Sequence, residues 1–245
     1  MRKLYMTAGS PFARAVRIVL VEKGLDFERI VSPSLCERAD ATPTLQVPTL
    51  IDDDVRLWDS AVILEYLMST YPNASQSYEA SAFATDYVRS GHQLRDKLVH
   101  ATVQTFGVST TTISQCHWTG MMHADNAHLT RCALRNQHLL DWFENELIDE
   151  HNGFVAGLDS VQDMLLVCIC QFIERRPLNL TWDAPRRPKM RALADRLSRR
   201  PSFDAEPALW WEPGMDLTDP EQLAWASRVT IADGIDFPAW KASRA

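Results

Sequence analysis

The chain has 245 residues, 46% hydrophobic and 23% charged, the balance of a soluble globular protein with two compact domains or one large one. Its formal charge of −7 argues against a nucleic-acid binder, which needs clustered Lys and Arg; the short Arg175-Arg176 and Arg186-Arg187 runs read as solvated helix surface. Arg2 and Lys3 have no apolar stretch of signal-peptide length behind them, and no window reaches the roughly 18 apolar residues of a membrane span, so a cytoplasmic protein with no membrane contact is expected.

The first predicted strand is Lys3 to Met6. Ser10-Pro11 follows, and Ser can cap a helix whose first position is Pro, where the missing N–H would have been orphaned anyway. The predicted helix runs from Pro11 to Lys23, with Phe12, Ala15, Val16, Val19 and Leu20 on one face, and Gly24 is suited to the left-handed turn that closes it. A hydroxyl therefore stands at a helix N-terminus, where backbone donors and the positive end of the helix dipole favour a phosphate, a carboxylate or a thiolate. Strands are predicted at Phe27 to Val31, Val47 to Ile51 and Val55 to Leu57, then a helix from Asp59 to Tyr71. Asp52-Asp53-Asp54 reads as a solvated hairpin turn.

Tyr71-Pro72-Asn73 through Gln76-Ser77 breaks this alternation and sets an expected domain boundary near residue 75. Beyond it helical patterns dominate, at about 79–105, 121–149, 160–176 and 186–199. The Ser/Thr-rich stretch from Gly107 to Gly120 reads as a loop or a broken helix. Ser160-Val-Gln-Asp163 has the form of a capping box ahead of an apolar decamer, which belongs in the middle of a helical bundle. Cys36, Cys116, Cys132, Cys168 and Cys170 show no zinc-like or CxxC spacing and read as reduced thiols, and the scattered histidines read as surface or core residues, so no metal is expected.

Four features together resemble the cytosolic glutathione transferase family, over the chain to about residue 207. They are Ser10-Pro11-Phe12-Ala13-Arg14 with Glu22-Lys23-Gly24-Leu25; Gln46-Val47-Pro48-Thr49-Leu50, similar to the family's Val-Pro turn with its cis proline; Trp58-Asp59-Ser60 at the start of a helix; and Gly157 with Ser160 and Asp163. The resemblance implies an α/β thioredoxin-like N-terminal domain over residues 1–75 followed by an all-α helical-bundle domain over 79–207. A Trp-rich extension, 208–245, is expected to pack on the helical domain. Thr42-Pro43-Thr44-Leu45 stands where the family usually has Asn-Pro-Leu-Gly, so that turn loses its glycine.

The resemblance further implies glutathione as co-substrate, a homodimer, and conjugation of the glutathione thiolate to a small, hydrophobic electrophile, the chemistry of detoxification. Ser10 is the expected catalytic residue, a donor to sulfur, with Thr7 a second hydroxyl close by. Val47 and the cis Pro48 would hold the cysteinyl part, Ser60 the γ-glutamyl carboxylate, Asp59 the amine and Gln46 the glycyl end. Lowering a thiol from about 8.5 by two units takes roughly 2.7 kcal/mol. One hydrogen bond to a charged acceptor, about 1.5–3 kcal/mol, nearly suffices, and the helix end adds about 0.3–1. Phe12, Phe106 and Trp118 are candidates for the electrophile pocket. Ala13 stands where a second CxxC cysteine would, which argues against disulfide exchange. The alternative is a transferase-like protein without turnover that serves as a binding or regulatory partner.

Overall fold

The computed structural model describes residues 1–71, 93–148, 153–176, 178–182 and 185–209. The expected boundary near residue 75 and the Trp-rich stretch from Trp210 onward lie outside them.

Strands β1 (Arg2–Met6), β2 (Phe27–Val31), β3 (Thr49–Asp52) and β4 (Val55–Trp58) form one sheet in the order β2-β1-β3-β4. The β1–β2 pair is parallel, Leu4 opposite Arg29, and the β1–β3 and β3–β4 pairs are antiparallel. Alternation along β1 sends Leu4 and Met6 into the core, where both are fully buried. Helix α1 (Pro11–Glu22) connects the parallel pair and packs on α3 (Ser60–Thr70). Between β2 and β3 lies α2 (Leu35–Ala41), which the sequence reading passed over although Ser34 and Glu37 form a reciprocal capping box. The ladder of β3 begins at Thr49, two residues later than expected, because Pro48 has no N–H to contribute.

The helical half comprises α4 (Gln93–Trp118), α5 (Ala127–Glu146), α6 (Val161–Glu174), α7 (Pro188–Leu197) and the short α8 (Pro201–Ala205). Every position of α6 from Val161 to Cys170 is buried, and α6 packs against α1, α4 and α7. Its capping box is present: Asp163 accepts from the Ser160 N–H at 2.8 Å and the Phe154 N–H at 2.9 Å, and Ser160 Oγ accepts from the Asp163 N–H.

Three expectations are corrected. The stretch from Gly107 to Trp118 continues α4 without interruption, since its threonine hydroxyls bond to carbonyls one turn back, Thr110 to Phe106 and Thr111 to Gly107, both at 2.9 Å. Arg176 and Arg187 are buried rather than solvated; Arg187 binds Asp141 at 2.8 Å and the Trp182 carbonyl at 3.1 Å. Asp52 is likewise buried, its carboxylate accepting from Arg2, Tyr66 and Tyr71, so only Asp53 and Asp54 make an exposed turn.

Candidate functional site

The β1–α1 loop, the α2–β3 loop, the start of α3 and one face of α4 line two adjoining cavities. Ser10 is the N-cap of α1 with extended backbone, and its Oγ accepts the Ala13 N–H at 3.2 Å. This bond uses a lone pair. The hydroxyl proton stays available to a partner outside the helix, and the side chain lines the larger cavity, about 370 Å³.

The smaller cavity, about 120 Å³, is walled by Gln46, Val47, Pro48, Asp59, Ser60 and Gln104, and the two share Phe12, Gln46, Val47 and Val108. The Val47–Pro48 peptide is cis. Leu45, which stands where the family's glycine would, has φ 59°, a left-handed conformation costly for a side chain with a Cβ. Asp59, also left-handed at φ 73°, caps α3 by accepting from the Ala61 N–H at 2.8 Å and the Val62 N–H at 3.4 Å.

Buried Ser60 brings in a group from the other domain, because its Oγ accepts from Gln104 Nε2 at 3.0 Å. The same amide lies 3.3 Å from Nε2 of His100, one turn earlier on α4. Burial lowers the His100 pKa to about 4 against a smaller upward pull from Asp59, so the ring is neutral at pH 7 and its Nε2 can accept when Nδ1 carries the proton. Sequence reasoning missed both residues. Their four-residue spacing puts them on one face of α4, but nothing local ties that face to Ser60.

The structure thus brings Ser10, Gln46, Val47, Pro48, Asp59 and Ser60 around one connected surface. Phe12 lines both cavities and Thr7 the larger. Phe106 is corrected from pocket to core: it is fully buried edge-on to Phe143, 5.6 Å between ring centroids, and lines neither cavity. The Trp118 side chain lies outside the described residues. Among the described residues no three His, Cys, Asp or Glu side chains form a metal-holding group, and no helix is long and apolar enough to cross a membrane.

A four-stranded mixed sheet followed by a helical half is the fold this chain shares with solved glutathione transferases. Residues 4–75 match the family model for the glutathione S-transferase N-terminal domain. A glutathione S-transferase of Methylobacterium radiotolerans, in complex with glutathione sulfonate, superposes with a TM-score of 0.69 at 23% identity, covering 88% of this chain and 99% of its own. One from Methylobacillus flagellatus with glutathione bound gives 0.70 at 22%, covering 85% and 100%. In sequence, a stringent starvation protein A homolog of Haemophilus ducreyi is 33% identical over 73 residues, 29% of this chain; the match spans about a third, 34%, of that relative's length.

Proposed function

We propose that the protein is a glutathione S-transferase that joins the glutathione sulfur to an electrophilic carbon. The observation that carries this reading is the Ser10 hydroxyl, which accepts the Ala13 N–H and lines the larger cavity, so that its proton is left for a ligand. A sulfur seated there would receive one O–H donor beside the positive end of α1, and both favour the thiolate over the thiol. The thiolate then attacks the carbon, the new C–S bond forms, and Ser10 forms no covalent bond.

The smaller cavity supports the rest of the tripeptide. Gln46 and the Val47 backbone can pair with its peptide groups, Ser60 can donate to the γ-glutamyl carboxylate, and Asp59 supplies the counter-charge for the amine. Gln104 holds the Ser60 oxygen as an acceptor, so the Ser60 proton is left to face the ligand.

Isothermal calorimetry with glutathione and an absorbance titration of the bound thiolate test this. Ser10→Ala is expected to raise the bound thiol pKa by about 1–2 units and to lower kcat/KM about ten- to a hundredfold, the value of one charged hydrogen bond. An unchanged titration would remove Ser10 from the mechanism. No binding at millimolar glutathione would overturn the transferase reading itself.

A further inference from the structure

We infer that Arg176 is a positioning residue for the reaction, holding the Gly9–Ser10 peptide from the end of α6 so that the Ser10 hydroxyl is set toward the sulfur; the inference rests on the transferase reading of that hydroxyl. Gly9, Ser10 and Arg176 line the same cavity, yet the guanidinium comes from the helical half and the hydroxyl from the sheet half.

The β1–α1 connection is a tight turn from Thr7 to Ser10, closed by the Ser10 N–H donating to the Thr7 carbonyl at 3.2 Å. That N–H and the Gly9 carbonyl are the two ends of one planar peptide unit. The carbonyl end accepts from Arg176 Nη2 at 3.0 Å, so the unit is tied once within its own turn and once to the other half of the protein. Turning this peptide would change the Ser10 φ of −73° and swing its Oγ off the Ala13 N–H, which it meets at 3.2 Å. A hydroxyl held in one direction also fixes where the sulfur faces the electrophilic acceptor, because a hydrogen bond depends on angle as well as distance.

Arg176 can serve as an anchor because it is itself held. It is 7% exposed, its guanidinium lies 3.5 Å from the Phe172 ring centroid, and Nη1 donates to the Phe172 carbonyl at 3.1 Å. A cation at the last carbonyls of α6 is also favoured by that helix's dipole. Gly9 completes the fit. Its φ lies outside the left-handed region, so its backbone does not call for glycine, but a Cβ there would stand 2.6 Å from Nη2. Glycine at position 9 is therefore room for the guanidinium, and a methyl group there would push the donor off the carbonyl.

Arg176→Met and Gly9→Ala remove the same bond from its two sides, and each is read alone and in a Ser10→Ala background. Each alone is expected to raise the pKa of the bound glutathione thiol by about 0.5–1 unit in the absorbance titration. The calorimetric Kd of glutathione at about pH 5, where the bound thiol is protonated throughout, should change by less than about twofold, because the rest of the tripeptide lies in the smaller cavity. Arg176→Lys, which keeps a donor on a flexible stem, should restore part of the shift. With Ser10→Ala neither change should shift the thiol further, since the guanidinium acts through the hydroxyl. A shift that persists without the hydroxyl would mean that the cation acts on the sulfur directly and would overturn the inference, as would an unchanged titration in both single variants. Exchange of the Ser10 amide hydrogen in the unliganded protein reads the turn apart from any chemistry. About tenfold faster exchange is expected in both variants, and equal rates sink the inference even where glutathione binds as proposed. If Arg176→Met folds poorly, Gly9→Ala carries the same readings with Arg176 still in the chain. A wild type that binds no glutathione would take down the transferase reading and this role of Arg176 with it, whereas binding with an unchanged variant titration removes the inference alone.

Discussion

His100 couples the site to pH through stability. Its ring is 5% exposed and its pKa is lowered to about 4, whereas in the unfolded chain it titrates near its ordinary value of about 6.5. Below about pH 6.5 the unfolded chain therefore takes up a proton that the folded chain refuses, so the His100 contribution is full above that pH and is lost as pH falls toward 4. Asp163 works in the opposite sense. Burial raises its carboxyl to about 6 despite the opposing bonds from Ser160 and Phe154, so the folded chain binds that proton first and this share grows as pH falls through 6. The His100 share is isolated as the difference in urea stability between wild type and His100→Gln. That difference is expected to move by about 2 kcal/mol against the wild type between about pH 7 and pH 5, and a constant difference would mean that the folded ring is charged. Neither His100 nor Gln104 was legible in the sequence as part of the site. The helix starts at Ser10 and at Asp59-Ser60 were legible, because a cap is a local pattern, whereas the contact from Gln104 to Ser60 closes over 44 residues and leaves no local trace.

Helix α4 shows how composition can mislead. Ser and Thr weaken helices when their hydroxyls compete for backbone groups, and a glycine among them reads as a stop. In α4 the threonine hydroxyls are absorbed by carbonyls of the same helix, from Thr102 to Leu98 at 2.8 Å and onward through Thr112 to Val108 at 2.8 Å. Gly107 serves close approach: a Cβ there would lie 2.6 Å from Cζ of Phe12 and 2.9 Å from Cδ1 of Ile169. By helix propensity alone Gly107→Ala would stabilise by up to about 1 kcal/mol. The crowding reverses the sign, because overpacking costs about 1–3 kcal/mol, and a net loss of roughly 1 kcal/mol is expected in urea unfolding. Phe12 lines both cavities, so its displacement should also raise the acceptor KM. A gain in stability would show that the Phe12 ring yields without cost. By contrast the apolar decamer of α6 and its capping box were readable, since all-round hydrophobicity and a Ser-x-x-Asp start carry their own meaning.

The two halves of the protein are joined by buried charge as well as by apolar packing. Glu206, just past α8, is fully buried and accepts from Arg17 Nε at 2.6 Å and from Arg29, and its carbonyl accepts from Arg14 Nε at 2.6 Å. Arg200 adds a bidentate pair to Glu22, at 2.9 and 3.0 Å, so α1 is gripped along its length by the end of the helical domain. Nothing in the local sequence around Glu206 announces this, because the partners lie 177 to 192 residues away. The grip bears on the site, since α1 carries Ser10 at its N-terminus while Arg176 follows α6, and their spacing depends on how the domains seat. Arg17 has no exposed surface; burial lowers its pKa, the nearby Arg14 charge adds to that, and Glu206 provides the main opposing pull. Removing that carboxylate would strip a buried cation of this counter-charge, which costs more than the pair is worth in place. Glu206→Gln is therefore expected to destabilise the protein by about 3–5 kcal/mol in urea unfolding, whereas Glu206→Gln with Arg17→Met should recover most of that loss, because the second change removes the stranded charge. Arg29, about a third exposed, can turn to solvent in both variants. Additive losses in the double variant would mean that Arg17 and Glu206 are held by packing independently, and the ionic account of the domain junction would then be wrong.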